Sequence, residues 1–151
     1  MMRFISFFLL LSLFVTSCKK DDDQAIIDEE IILAYLHDKN LEDQATKDAS
    51  GMYYIIYNQG TGGHPTTSST VEVKYKGYLT DGDVFDQTSG SSTASFPLTN
   101  LIEGWKIGIP MLQKGGNGLF LLPSALGYGS TNQSGIPANS VLIFEITLVD
   151  F

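Results

Sequence analysis

A strict alternation of apolar and polar positions runs through residues 71–80. The apolar positions are Val71, Val73 and Tyr75, and Gly77 and Leu79 continue the series. Successive side chains of a β-strand point to opposite faces, so this pattern predicts a strand with one buried face and one face in water.

A tight turn is predicted directly after this strand. Asp81 and Gly82 are typical turn residues, and glycine readily adopts positive φ. The chain then returns through Val84 and Phe85, which indicates a β-hairpin. Three further strands and one short extended segment are predicted from β-branched and aromatic residues, over residues 52–57, 119–122, 141–149 and 96–98.

Helical spacing is clearest over residues 24–41. Apolar residues recur there at steps of three and four and form one stripe: Ile27, Ile31, Ile32, Ala34, Tyr35 and Leu36. Acidic residues near the start favour a helix because they oppose the positive end of its dipole. The stripe leaves three uses open: packing on its own domain, self-association as a homodimer, and binding of client proteins.

A second, shorter helix is predicted over residues 101–109. Its apolar positions include Leu101, Ile102 and Trp105, and Asn100 is suited to cap its N-terminus. The predicted fold class is therefore α+β, an antiparallel sheet whose apolar face is covered by this short helix.

The first residues of the chain have the pattern of an export signal. Arg3 precedes an apolar run over residues 4–14, and small residues lead to Cys18, the only cysteine. This arrangement resembles the lipobox of bacterial lipoproteins and predicts a signal over residues 1–17, with lipidation of Cys18. An ordinary signal followed by a stray cysteine is the alternative.

A run of two lysines and three aspartates follows Cys18. The simplest interpretation of residues 18–23 is a solvated tether between the lipid anchor and the domain. The run also resembles a tag that carries some bacterial lipoproteins to the cell surface. We therefore expect an outer-membrane lipoprotein and leave open whether it faces the periplasm or the cell surface.

The charge of the chain limits its partners. The formal net charge is −8, so binding to a phosphate backbone, and hence to nucleic acid, is not expected. His37 and His64 lie in isolated positions, and the sequence predicts no metal site and no cofactor. No Gly-x-Ser-x-Gly elbow or phosphate-binding loop is present, which leaves a hydrolase a distant candidate.

Scattered residues after position 70 resemble one family. Their order and spacing are similar to those of the FKBP family of macrolide-binding peptidyl-prolyl cis/trans isomerases: Val71, Val73, Tyr75, Gly77, Leu79, Asp81, Gly82, Phe85, Asp86, Gly104, Trp105, Tyr128, Gly129, Ile136, Pro137 and Phe144. The resemblance implies a curved half-barrel sheet wrapped around the short helix. We place this domain at residues 49–151, with the N-terminal helix and a linker at 24–48 as an addition.

The resemblance also implies a proline-binding pocket. Trp105 would form its floor, Tyr75, Phe85 and Phe144 its walls, and Leu101 and Ile102 its rim. Each of these aromatic residues alone is explained by core packing, and only their joint spacing favours a pocket.

Three polar groups are implied in the same pocket. Asp86 matches the family's pocket carboxylate, and Tyr128 matches a tyrosine whose hydroxyl donates to a bound carbonyl. The backbone N–H of Ile136 matches a second donor to the ligand. As alternatives, Asp86 caps a turn and Tyr128 lies on a mobile loop.

The implied activity is isomerisation of prolyl bonds in exported polypeptides. It needs no nucleophile, because a pocket that removes water from the carbonyl and binds a twisted amide favours rotation. Macrolide inhibitors are the other implied ligands. The alternative is a chaperone or surface-displayed module that binds proline segments with little turnover.

Two departures from the family pattern lie close to the implied pocket. Many members have an arginine shortly after the aspartate and a phenylalanine before the central short strand. Here the first region is rich in Ser, Thr and Gly, and Ala94 occupies the second position. We therefore expect weaker charge support for Asp86, one open wall and weaker activity.

Overall fold

The structure is a computed structural model that describes residues 18–151, with side chains from Asp23 onward. Helix α1 spans Cys18–Asp38 and helix α2 spans Glu103–Gly108. The strands in this part of the chain are β1 (Thr46–Lys47), β2 (Tyr53–Asn58), β3 (Thr70–Tyr78), β4 (Val84–Gln87), β5 (Ala94–Pro97), β6 (Asn117–Leu122) and β7 (Leu142–Asp150). The predicted signal over residues 1–17 lies outside the described residues.

All strands belong to one curved antiparallel sheet with the order β1-β2-β6-β7-β3-β4, and β5 pairs with β3. The predicted hairpin is present as β3 and β4, joined through a turn in which Gly82 has a φ of 96°. The α+β fold with a short helix and an additional N-terminal helix is confirmed.

The sheet has a hydrophobic core on each face. One face, here called the α2 face, packs against α2 and the 3₁₀ turn after it; its buried residues include Val71, Val73, Phe120, Leu122, Phe144, Ile146 and Trp105. The opposite face, here called the α1 face, is covered by α1; its buried residues include Tyr53, Ile55, Tyr78, Leu119, Leu121, Ile143, Ile32 and Leu36.

Helix α1 begins earlier than predicted. It includes Cys18, the first residue that the structure describes, so the charged run interpreted as a tether is helical. No proline or glycine interrupts the segment, and acidic residues at the start of a helix are favourable partners of its dipole. Neither helix within residues 18–151 has the length and apolar composition needed to cross a membrane.

The packed side of α1 is rotated from the centre of the predicted stripe. Asp28, Ile32 and Leu36, spaced at steps of four, are buried against the sheet, whereas Ile27 and Ile31 are exposed. The predicted stripe is broad enough that either Ile27 and Ile31 or Ile32 and Leu36 could face the sheet. Tertiary contacts at Ile32 and Leu36 decide which side is buried.

The outer face of β3 is only partly in water. Tyr78 belongs to the set of alternate residues that the pattern predicts to face water, but it is 9% exposed because α1 lies over it. Its hydroxyl donates to Glu145 Oε1 at 3.1 Å and lies 3.3 Å from the Tyr35 hydroxyl. These contacts raise the pKa of Tyr78, mainly through burial.

Helix α2 is shorter than predicted, and Asn100 does not cap it. Asn100 ends a separate 3₁₀ turn, Leu98–Asn100, and the N-cap of α2 is Ile102 in an extended conformation without a side-chain cap. Gly104 allows α2 to approach the sheet closely, since a Cβ there would lie 2.0 Å from Leu122. The close approach of α2 to the sheet determines how deeply the Trp105 side chain is buried.

Candidate functional site

A cavity of about 430 Å³ opens on the α2 face. The structure places all nine predicted site residues around it: Tyr75, Phe85, Asp86, Leu101, Ile102, Trp105, Tyr128, Ile136 and Phe144. They come from β3, β4, β7, α2 and the loops beside them. Residues far apart in sequence thus converge on a single pocket.

Trp105 lies at the buried base of this pocket. Its ring packs edge-on against Tyr75, with centroids 5.1 Å apart, and against Phe144, with centroids 5.3 Å apart. Edge-to-face contacts of this kind favour one orientation of each ring. Within the described residues the buried indole N–H of Trp105 has no hydrogen-bond partner.

Phe85 and Phe144 form a second edge-on pair, with centroids 5.5 Å apart. Both rings lie against Gly77 of β3. A Cβ at Gly77 would be 2.6 Å from the Phe85 ring and 2.7 Å from the Phe144 ring. Only glycine therefore allows this wall of the pocket to keep its position.

Ala94 is not among the residues that line the cavity, whereas Phe96, two residues further on the same face of β5, is. Its ring centroid lies 6.2 Å from those of Tyr75 and Trp105. The alternation along β5 is the signal that could have identified it.

The polar side of the pocket is organised by Tyr75 and Asp86. The Tyr75 hydroxyl donates to Asp86 Oδ2 at 2.6 Å. Burial, followed by this hydrogen bond, raises the pKa of Tyr75 above its usual value. Among the side chains that the structure describes, no lysine or arginine pairs with Asp86, so the tyrosine hydroxyl is its polar support.

Tyr128 lies at the pocket edge and is 38% exposed. It belongs to a turn in which the backbone N–H groups of Gly127 and Gly129 both donate to the Ser124 carbonyl, at 2.9 and 2.8 Å. The turn is therefore an ordered structure. Tyr128 is among the residues that line the pocket.

The backbone of Ile136 differs from the expectation. Its N–H donates to the Gln133 carbonyl at 3.0 Å, and the Gln133 N–H donates back to the Ile136 carbonyl at 2.9 Å. This small antiparallel bridge occupies the donor that we assigned to the ligand. The Ile136 side chain still lines the pocket, but in this conformation its N–H is not free.

Four lining residues were not predicted: Phe96, Asn100, Gln133 and Ser134. Asn100, Gln133 and Ser134 lie in a 3₁₀ turn and a loop, where periodicity gives no orientation. Among the described residues no three His, Cys, Asp or Glu side chains lie close enough together to hold a metal ion. The lining as a whole can enclose an apolar ring and present a few polar groups to its amide.

Comparison with known proteins agrees with this geometry. A profile described as FKBP-type peptidyl-prolyl cis-trans isomerase matches residues 62–149, more than half of the chain. The chain belongs to the FKBP family. The resemblance stated from the sequence is thereby confirmed.

Its similar relatives include bacterial members of the family. The chain is 35% identical over 136 residues to FKBP-type peptidyl-prolyl cis-trans isomerase FkpA of Aeromonas hydrophila, covering 89% of this chain and 50% of that protein. For FkpA of Escherichia coli K12 the identity is 37% over 115 residues, covering 75% and 43%. The chain thus spans about half the length of these FKBP relatives.

Solved structures show the same FKBP fold. The crystal structure of FkpA from Escherichia coli has a TM-score of 0.74 at 34% identity, covering 87% of this chain and 62% of that chain. A peptidyl-prolyl cis-trans isomerase from Pseudomonas syringae has a TM-score of 0.73 at 25% identity, covering 85% and 93%. The likeness to both extends beyond the pocket to most of this chain.

Proposed function

We propose that this protein is a peptidyl-prolyl cis/trans isomerase acting on proline-containing segments of exported polypeptides. The convergence of nine dispersed residues on one largely apolar cavity with an indole base carries this proposal. Family membership supports it.

The pocket suits the chemistry of amide rotation. Rotation about a prolyl bond meets a barrier of about 18–20 kcal/mol, which arises from amide resonance. The rings of Trp105, Phe85 and Phe144 exclude water from the amide, and an apolar surrounding favours the twisted, less polar state. Tyr128 supplies a hydroxyl donor for the carbonyl of the bound chain. Macrolides are proposed to compete for the same cavity.

An assay of cis-to-trans isomerisation in a proline peptide tests this proposal. Intact protein should accelerate the reaction, and Tyr128→Phe should lower kcat/KM about 2- to 13-fold, the equivalent of one lost hydrogen bond. Tyr57→Phe, at an exposed tyrosine outside the pocket, is the matched control and should have no effect. Folded protein without any acceleration would refute the proposal.

A chaperone or surface-displayed module that binds proline segments with little turnover is the second candidate function. It is favoured by apolar side chains that α1 leaves in solvent: Ile26, Ile27, Ile31 and Leu33. We propose that this surface receives apolar segments of the same unfolded clients. A second copy of the chain, forming a homodimer, is the competing occupant.

Removal of α1 cannot separate these functions, because the helix covers one face of the sheet. An Ile27→Ser/Ile31→Ser variant changes only the exposed side of α1. Loss of protection of an aggregating client with unchanged isomerase activity and unchanged mass in solution would support client binding. A change from dimer to monomer would assign the surface to self-association, and no change in either property would eliminate both.

We propose, third, that the protein is a lipoprotein of the outer membrane, anchored through Cys18 and facing either the periplasm or the cell surface. The sequence around Cys18 supports this proposal. Mass spectrometry of the mature N-terminus should show cleavage before Cys18 and added acyl chains, which Cys18→Ser should abolish. Digestion of intact cells with protease would distinguish the two sides, and an unmodified Cys18 in mature protein would refute the anchor.

A further inference from the structure

One carboxylate of α1 is buried outside the pocket. Asp28 is 1% exposed, and no lysine, arginine or histidine among the described side chains pairs with it. A buried charge without a counter-ion is costly unless hydrogen bonds replace its hydration. The hydrogen-bond partners of Asp28 therefore indicate its role.

Three hydrogen bonds satisfy the Asp28 carboxylate. The backbone N–H and the hydroxyl of Ser124 both donate to Oδ2, at 2.8 and 2.6 Å, and Gln24 Nε2 donates to Oδ1 at 2.8 Å. Ser124 is itself 2% exposed. Two hydrogen bonds therefore join α1 to Ser124.

Ser124 is also the base of the turn that carries Tyr128. Its carbonyl accepts the N–H groups of Gly127 and Gly129, the residues on either side of Tyr128. The Gly129 carbonyl in turn accepts the Asn139 N–H at 2.7 Å. A continuous chain of hydrogen bonds therefore runs from the carboxylate of α1 to the turn at the pocket edge.

Packing alone does not fix this turn. A second cavity, of about 510 Å³, lies between α1 and the turn, and Asp28, Ser124, Leu126 and Gly129 are among the residues that line it. The turn therefore has room to move on that side. The hydrogen bonds of Ser124, together with the bond from the Asn139 N–H to the Gly129 carbonyl, oppose such movement.

We propose that Asp28 is a positioning residue, which holds Tyr128 at the pocket edge through Ser124. The inference rests on the proposed isomerase function and extends the active site to the N-terminal helix. The side chain of Asp28 does not reach the substrate pocket. Asp28 acts on the reaction only by positioning the Tyr128 hydroxyl. Misplacement of a catalytic group by about 1 Å can reduce rates by up to about 100-fold.

A double-mutant cycle on the full chain tests this role, with kcat and KM measured in the proline-peptide assay at a temperature where every variant is folded. Asp28→Ala should lower kcat/KM about tenfold. Asp28→Asn should restore most of it, because its amide oxygen can still accept from Ser124. Glu30→Ala, at an exposed acidic residue of the same helix, is the control and should have no effect.

The decisive comparison is made in the Tyr128→Phe background. In that background Asp28→Ala should lower kcat/KM by less than about twofold, because the effects of coupled residues are not additive. Equal losses in both backgrounds would show a merely structural role and overturn the inference. If Asp28→Ala does not fold, Ser124→Ala, which removes only the hydroxyl bond, replaces it. An inactive wild-type protein would refute the proposed function, whereas active protein without coupling would refute this inference alone.

Discussion

The two faces of the sheet are both rich in aromatic residues, but the predicted site residues surround a cavity on the α2 face only. On the α1 face, Ile32 and Leu36 fill the space over the strands, and tyrosine hydroxyls are satisfied by Glu29 and Glu145. On the α2 face, the short helix contributes Trp105 at the base and leaves about 430 Å³ open.

The difference lies in the covering helix. α1 has 21 residues and inserts branched side chains at steps of four, whereas α2 has six residues, two of them glycines. A short helix close to the sheet cannot cover the rings of Phe85, Phe144 and Tyr75. The α1 face therefore supports stability, and the α2 face is left available for a ligand.

The largest expected effect is on the α1 face. Leu36→Ala should lower the free energy of unfolding by about 2–5 kcal/mol, because it leaves a cavity under a fully buried side chain. Leu33→Ala, on the exposed side of the same helix, is the control and should change it by less than about 0.5 kcal/mol. Denaturant unfolding measures both values. Equal effects would contradict the packing described for α1.

A change on the α2 face should act on the pocket first. Gly77→Ala forces the rings of Phe85 and Phe144 away from β3 and into the cavity. We expect a loss of about 1–3 kcal/mol of stability, typical of overpacking, together with loss of proline-peptide binding.

Gly63→Ala is the matched control for this change, since a Cβ there meets nothing closer than 4.0 Å. Isothermal titration with the peptide measures the binding of both variants. Unchanged affinity in Gly77→Ala would show that the two rings do not shape the ligand site.

The smallest expected effect is the response of the α1 face to alkaline pH. Burial and a hydrogen bond to Glu29 raise the pKa of Tyr53 from 10.0 to about 12. Below pH 10 the tyrosine is protonated in both states, and its contribution is complete. Between pH 10 and about 12 only the unfolded chain loses this proton, so stability falls as pH rises.

Unfolding measured across this range should show a shallower decline in Tyr53→Phe than in the wild type. The wild-type pair of Tyr53 and Glu29 also involves Lys47, whose Nζ donates to Glu29 at 2.5 Å. Identical slopes in the two proteins would mean that Tyr53 is not held in its neutral form by the fold.

Most of the pocket on the α2 face could be predicted from the sequence, because several independent patterns point to the same residues. The alternation in β3 placed Tyr75 correctly, and the joint spacing with Trp105 and Phe144 identified lining residues from several elements. Phe96 does not follow from the family pattern, which has its phenylalanine at the position of Ala94. The pairing of the Ile136 N–H with Gln133 depends on loop geometry, which the sequence does not encode in a periodic form.

The α1 face was harder to predict. The stripe in α1 includes apolar residues over more than half its circumference, so Ile27 and Ile32 were equally suited to burial. The residue that could have decided the orientation is Asp28, but an aspartate followed by two glutamates in a helix is most simply assigned to solvent. Its partner, Ser124, is 96 residues away.

The central claim is that the cavity above Trp105 receives a proline ring, and the fluorescence of Trp105 tests it most directly. Trp105 is the only tryptophan in the chain, so its signal reports on the pocket alone. Titration with a proline-containing peptide should give a saturable change in emission that an alanine-for-proline peptide does not produce. Folded protein with the same emission at every concentration of the proline peptide would contradict the account.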